Sequence, residues 1–449
     1  MKLNRQNHPV SKAPERLVHM GIGAFFRAHQ AWYTAKSDAE NAWGYVAFTG
    51  RSAQVADELR DQDGLYTLVT RGAEGDSFEV IPSVVRVEDG GELGIFTDAV
   101  ANPEIAAVTI TITESGYALD ADGELLNAQS QLDGLRSGKP VTALGRLAWA
   151  LNERRQRNGV PIALVPCDNI PKNGTLLKSA MVELISVFGE SAVDWLNSKV
   201  SFVSTSIDRI TPKTTSEDLR IVSDKAGWED SSPVVTEPFR DWVLEGEFPN
   251  GRPDWELAGA RFVTEIEPFE NRKLWLLNGS HSLLAYAGLN RGHKTVEEAI
   301  TDELCLTAVE AFWDEAERTL DNPELGITAY RAALLERFRN PRIAHQLSQI
   351  AIDGSTKIRV RVVPTAKAEL AAGRPATGAA FAIASWINFA LTGEILFDSR
   401  RSELEKIHSD TNGDNSMAAI ALLKLLDPQL AANRNFVALI IKLLKTTAK

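Results

Sequence analysis

The first half of the chain alternates short apolar runs with glycine-rich turns, and the second half carries longer stretches whose apolar residues recur at helical spacing. Runs at Arg16 to Met20, Tyr45 to Thr49, Leu65 to Thr70, Phe78 to Val87, Ala106 to Thr113, Pro161 to Pro166 and Val200 to Ser204 are short and rich in β-branched or aromatic residues, so they predict strands. The run from Ala106, AAVTITIT, reads as a strand buried on both faces of a parallel sheet. Thr142 to Arg157 predicts a helix with a basic end, and Trp228 to Pro253 mixes prolines, acids and aromatics in a long excursion.

After Pro268 helices dominate. They are predicted at Lys273 to Leu289, Val296 to Leu320, Tyr330 to Phe338, Ile343 to Ala351, Ala366 to Ala372, Ala379 to Thr392, Ser402 to Ser409, Ser416 to Leu426 and Asn435 to Thr447. A domain boundary is expected near residue 270. It separates an α/β half, residues 1–270, from a mainly α-helical half, residues 271–449.

The ends of the strands carry the first chemistry. Arg16 to Met20 runs into Gly21-Ile22-Gly23 and then an amphipathic helix, which is the opening of a Rossmann-like dinucleotide-binding unit. Glycines let the backbone turn sharply and let a pyrophosphate approach, and the helix start offers free amides to it. Phe26 stands where the third glycine of the fingerprint is usual, and Arg27 and His29 place positive charge where phosphate would lie. A glycine turn in any α/β protein has the same spacing. The second strand ends in Gly50-Arg51-Ser52, where an acid commonly serves the ribose of NAD and an arginine suits the 2′-phosphate of NADP. Arg51 is either that NADP contact or a solvated turn residue. Since ligands bind at the carboxyl ends of such strands, Cys167-Asp168-Asn169 delivers Asn169 to the crevice; Asp208 lies in a similar polar cluster after Ser204.

The segment from Pro268 to Tyr286, PFENRKLWLLNGSHSLLAY, carries the second. At about 100° per residue, Lys273, Asn278 and His281 share a helix face with Leu274, Leu277 and Leu284. An ammonium among leucines is costly, and the usual relief is a lowered pKa that leaves a neutral amine able to act as a base. Beside it an amide can hold a developing oxyanion and an imidazole a hydroxyl, which is equipment for taking a proton from an alcohol. The alternative is a lysine that reaches out to solvent.

Composition narrows the partners. Of 449 residues 44% are hydrophobic and 24% charged, as in ordinary soluble proteins, and a net charge of −12 argues against nucleic acid or an anionic membrane surface. Cys167 and Cys305 are the only cysteines, too few for a disulfide framework, which points to a reducing compartment. No signal-peptide core or membrane-spanning run is read, so the expected address is the cytoplasm. The His, Cys and carboxylate spacings show no metal-ligand set.

Four blocks taken together carry a family resemblance. Gly21-x-Gly23-x-Phe25-x-Arg27-Ala28-His29, Cys167-Asp168-Asn169 with Asn173-Gly174, Asp208-Arg209-Ile210-Thr211-Pro212, and Lys273-Leu-x-Leu-Leu-Asn278-x-x-His281 resemble the polyol-specific long-chain dehydrogenases. That family includes mannitol 2-dehydrogenase, arabinitol 4-dehydrogenase and the fructuronate and tagaturonate reductases. The resemblance runs from about Leu17 to the C-terminal helices. It implies a Rossmann-type domain joined to a helical one. The split near residue 270 itself leads to the expectation that the two halves enclose the substrate, with Asn169 and Lys273 facing one pocket.

By resemblance, Lys273 is the catalytic lysine, Asn169 and Asn278 are the oxyanion asparagines, His281 binds substrate and Glu270 relays the proton. Gly21, Gly23, Phe25 and Arg27 belong to the cofactor motif, and Asp208 and Lys357 touch substrate. Gln349, also expected at the substrate, stands eight residues before Lys357, where mannitol 2-dehydrogenase has an arginine and the hexuronate reductases share the glutamine, a departure that counts against mannitol itself as the substrate. The implied activity is metal-independent, NAD(P)-dependent interconversion of a sugar alcohol and its ketose by a monomer. Most members use NAD, and Arg51 leaves NADP open. The alternatives are reduction of a keto-uronic acid, with Lys357 or Arg361 pairing its carboxylate, and a catalytically silent dinucleotide-binding protein.

Overall fold

The structure, a computed structural model, describes residues 1–50, 53–120, 123–343, 345–392 and 397–447. It divides into two compact units, Met1–Glu267 and Pro268–Lys449.

The strands of the first unit are β1 (Glu15–Met20), β2 (Gly44–Phe48), β3 (Tyr66–Gly72), β4 (Gly75–Ile81), β5 (Val84–Glu88), β6 (Ala107–Ile110), β7 (Ile162–Pro166), β8 (Val200–Phe202), β9 (Ser204–Asp208), β10 (Val234–Thr236), β11 (Asp241–Glu245) and β12 (Arg261–Phe262). Six form one wholly parallel sheet in the order β5-β2-β1-β6-β7-β8. This is the doubly wound dinucleotide-binding order, whose direction of winding reverses between β1 and β6. Both faces are covered. Leu17, Tyr45, Ala47, Ala107 and Ala163 enter one core, while Val18, Val46, Phe48, Val108 and Leu164 enter the other. Successive side chains point to opposite faces, so a sheet buried on both sides needs strands that are apolar at nearly every position.

Three expectations change here. Phe78 to Val87 is two strands: the chain breaks at Pro82-Ser83, β4 pairs antiparallel with β3, and β5 joins the parallel sheet. Proline supplies no ladder donor, so a strand cannot run straight through it. Asp208 does not follow a strand end but closes β9, which pairs antiparallel with β11 and puts Asp208 opposite Asp241. The excursion from Trp228 to Pro253 supplies β10 and β11, each of which pairs with an earlier strand.

The second unit is helical among its described residues. At its centre Thr377–Leu391 buries residues on every side, including Ala379, Phe381, Ile383 and Trp386, as a helix does when other helices surround it. The expected helix from Val296 to Leu320 breaks at Asp302, whose carboxylate caps Glu303–Glu317 by accepting from the amides of Leu304 and Cys305. Ile343 to Ala351 shrinks to Leu347–Ile350, and Gly354–Arg361 is a helix that the pattern did not predict. The segment with Lys273 is not one α-helix. Glu267–Arg272 is α-helical, Lys273–Gly279 is a π-helix, and Ser280–Asn290 is α-helical again.

Candidate active site

At the carboxyl ends of β1, β2 and β6 lies a crevice of about 710 Å³, lined by Gly21, Gly23, Thr49, Gly90, Thr111 and Thr113 among others. Its floor is the glycine turn. Gly21 has φ +97°, and a Cβ there would stand 2.0 Å from the carbonyl oxygen of Thr111; around Gly23 the nearest atom to a Cβ would be 3.7 Å away. The first glycine is thus required by the backbone, and the second leaves room for a ligand.

His19, buried in β1, braces this turn. The hydroxyl of Thr111 gives its proton to the Gly21 carbonyl at 2.9 Å, so at 3.0 Å it accepts from His19 Nε2, and Nδ1 accepts from Thr109 at 2.8 Å. The ring is neutral, its pKa pushed down to about 3 chiefly by burial.

Phe25 and Arg27 do not line the crevice. Phe25 stacks on His29 with ring centroids 4.9 Å apart. The buried Arg27 guanidinium donates to the carbonyl and hydroxyl of Ser232 at 2.6 and 3.1 Å. Its charge is turned away from the phosphate position because the helix Ala24–Ala28 points it into the unit's interior. Among the described lining residues the cation is Arg146, which donates to the carbonyl of Gly90.

Arg51 lies outside the described residues. An acid does reach the end of β2, but from the neighbouring strand: Thr49 donates to Asp89 Oδ1 at 3.2 Å. Asp89 and Arg146 were missed because each meets its partner far away in the chain, Asp89 at Thr49 and Arg146, on the helix Ala143–Arg157, at Gly90; the Asp-Gly-Gly turn directly after β5 was the available signal for the first.

Past β7, Asn169 is exposed, while Asp168 is buried beneath the crevice wall. The Asp168 carboxylate accepts from the amides of Ile112 and Thr113 at 3.1 and 2.8 Å and from the Tyr117 hydroxyl at 2.9 Å. Burial raises its pKa, and the two amides work against that rise.

In the second unit, Lys273 and Asn278 are half-buried and His281 is buried. A π-helix turns less per residue than an α-helix because each amide bonds five residues back. Asn278, five residues after Lys273, therefore comes closer to the lysine's face than α-helical spacing allows. Two side chains occupy the carbonyl of Leu276 within this turn: the Ser280 hydroxyl at 2.6 Å and the Trp313 indole N–H at 2.8 Å. Such insertion into the ladder is a recognised cause of helix distortion.

Arg361 donates to the Asn278 carbonyl at 3.4 Å and to the Ser282 hydroxyl at 3.2 Å, and burial pushes its pKa down to about 10. Burial also holds the His281 imidazole well below its ordinary range, helped by His345, Arg337 and Arg361. Lys357 donates to the Ile350 carbonyl at 3.0 Å and is lowered by burial and by Arg361. Glu270 is half-buried on Glu267–Arg272, and Gln349 is exposed. Among the described residues no cluster of His, Cys, Asp or Glu could hold a metal ion, and no helix is long and apolar enough to cross a membrane.

Residues 15–257 match the mannitol dehydrogenase Rossmann domain and residues 265–448 the mannitol dehydrogenase C-terminal domain. The chain belongs to the mannitol dehydrogenase family. It is 34% identical to D-mannonate oxidoreductase of Escherichia coli K12, over 95% of this chain and 92% of that protein. With mannitol 2-dehydrogenase of Aspergillus terreus it shares 34% identity over 84% and 79% of the two chains. Among solved structures, Pseudomonas fluorescens mannitol 2-dehydrogenase in ternary complex with NAD and D-mannitol superposes with a TM-score of 0.78 at 32% identity, covering 99% of this chain and 96% of that one. A substrate-free D-sorbitol dehydrogenase reaches 0.84 at 25% identity, covering 98% and 100%. This mannitol dehydrogenase family member is an oxidoreductase with a Rossmann-type N-terminal domain.

Proposed function

We propose that the protein is an NAD-dependent oxidoreductase that interconverts a secondary alcohol of an open-chain sugar alcohol and the ketone of its ketose, of the mannitol/fructose or arabinitol/xylulose type. The observation that carries the reading is the π-helical turn that brings Lys273 and Asn278 towards one face. The crevice residues fit a dinucleotide: Gly21 leaves no space for a Cβ, and Gly23 leaves space for a pyrophosphate. NAD supplies or accepts the hydride when bound. Asp89, beside Thr49 at the end of β2, favours NAD over NADP, because a carboxylate there suits ribose hydroxyls and repels a 2′-phosphate.

The chain's own residues handle the proton and the oxygen. Lys273 takes the hydroxyl proton during oxidation and returns it during reduction, and Glu270 passes it towards water. Asn278 donates its amide to the substrate oxygen as charge develops, and Asn169 is a further amide donor. His281 stays neutral under its burial and its cationic neighbours, so it holds a substrate hydroxyl without adding charge. Lysine, rather than a metal, does the acid–base work.

A second reading, reduction of a keto-uronic acid such as fructuronate, is favoured by Lys357 and Arg361. Two partly buried cations, each lowered chiefly by burial and Lys357 further by Arg361, are suited to an anion. Nicotinamide absorbance with mannitol, arabinitol, sorbitol, fructose, fructuronate and tagaturonate, each with NAD and NADP cofactors, tests both. Turnover of a polyol or ketose with NAD is expected. Turnover of fructuronate or tagaturonate alone selects the second reading, and turnover of none refutes both.

A further inference from the structure

Thr113 has a backbone that its own chemistry does not favour. It lines the crevice just past β6 and takes φ 65°, ψ 162°, a region that is essentially reserved for glycine. The β-branched side chain adds to the cost. A hydrogen bond from the Gly116 amide to the Thr113 carbonyl, at 2.9 Å, closes the turn that follows. That bond does not require the unusual φ.

What requires it is the convergence of two consecutive amides on one carboxylate. The N–H groups of Ile112 and Thr113 reach the two oxygens of Asp168, and Tyr117 adds its hydroxyl from the far end of the same turn. Asp168 is itself fixed. Its carbonyl accepts from Asn173 Nδ2 at 3.2 Å, and the same side-chain amide exchanges hydrogen bonds of 2.9 Å with both backbone groups of Thr205. The clamp is therefore tied to β7 and β9, and it reaches across to the turn after β6.

We infer that Asp168 is a positioning residue: it holds the 112–117 turn in the conformation that places Thr113, Ser115 and Gly116 in the wall of the dinucleotide crevice. These residues follow β6, on the second mononucleotide-binding half of the sheet, so the part of the cofactor they face is the nicotinamide half. The inference rests on the dinucleotide reading above.

The test is NADH binding by the full chain without substrate, followed by fluorescence, with thermal unfolding alongside. Asp168→Asn keeps the shape but turns an NH₂ towards a backbone donor. Its Kd for NADH should rise roughly tenfold or more, as the loss of a hydrogen bond to a charged group implies. Thr113→Gly, which takes a positive φ without strain, should recover most of that loss when added to Asp168→Asn. An Asp168→Asn protein with wild-type affinity overturns the assignment, and so does a double variant that binds no better than Asp168→Asn, since a glycine would not relieve a general loss of stability. If Asp168→Asn does not fold, Tyr117→Phe decides: affinity weakened roughly threefold supports the clamp, and unchanged affinity overturns it. A wild-type chain that ignores NADH overturns the dinucleotide reading and this assignment with it.

Discussion

Trp313 donates its indole N–H to the carbonyl of Leu276 at 2.8 Å across 37 residues of sequence, inside the turn that carries Lys273 and Asn278. Ser280 donates its hydroxyl to the same oxygen. An α-helix would offer that carbonyl to the backbone amide of Ser280; here side chains hold it, and the ladder opens to π spacing. Trp313→Phe keeps an aromatic ring in a fully buried place but removes the donor. The expected loss is about 1–3 kcal/mol of stability, read by urea unfolding. A fall in kcat with unchanged affinity for NADH should accompany it. A variant that is destabilised yet keeps its kcat would show that the turn holds its register without the tryptophan.

Lys273 decides the mechanism. With a lysine base, alcohol oxidation rises with pH as the ammonium loses its proton, and ketone reduction, which needs the ammonium, falls over the same range. Lys273→Ala should slow both directions by roughly 10²–10⁴-fold and flatten both profiles. NADH affinity, measured without substrate, should survive. If rates and profiles stay near wild type, the base lies elsewhere, and Glu270 is the first residue to replace next.

How much of this was legible in the sequence follows from how local each cause is. The glycine turn could be read because Gly21 answers to its own φ and to a strand boundary beside it. The parallel sheet could be read because burial on both faces forces apolar runs. The π-helix could not, since the groups that open it at Leu276 include a tryptophan on another helix. For Arg27, position in the motif suggested phosphate, but direction matters more than position: its side chain finds Ser232, 205 residues away. The acid sought after β2 comes instead from Asp89, in the turn that follows β5, a strand adjacent to β2 in the sheet but not in the chain. Local propensity and spacing carry turns and layers, whereas cross-strand and cross-helix pairs become visible only once the elements are packed.

Lys357 separates the two substrate classes. If a substrate carboxylate meets Lys357 and Arg361, Lys357→Met removes one charge-assisted hydrogen bond, worth roughly 1.5–3 kcal/mol, and should raise the KM for fructuronate by about tenfold or more. For an uncharged ketose the change should be smaller, since only a neutral contact is lost. Steady-state kinetics on fructuronate and fructose side by side make the comparison. Equal losses on both would mean that Lys357 supports the Gly354–Arg361 helix and its neighbours through Ile350 and reads no carboxylate.

His19 gives the fold a pH dependence whose sign can be worked out in advance. Its pKa in the folded chain lies at about 3 because the ring is buried, against about 6.5 in an unfolded chain. Between those values the unfolded state carries a proton that the native state does not, so unfolding takes up a proton and stability falls as pH falls. The contribution is fully present above about pH 6.5 and declines below it, with a slope of at most about 1.4 kcal/mol per pH unit. His281, also held well below its ordinary range, adds in the same direction. His19→Gln retains an N–H for Thr111 but cannot titrate. It should be less stable than the wild type at pH 7, through imperfect packing against Phe26, whose ring stacks on His19 at 3.5 Å. On acidification that deficit should narrow, because the carboxylates titrate alike in both proteins and cancel in the difference. Urea unfolding at several values from pH 7 down to about 4.5 provides the measurement. A deficit that stays constant over that range would show that His19 holds the same proton in both states, and the neutral ring would then have to be dropped from the account of the Gly21 turn.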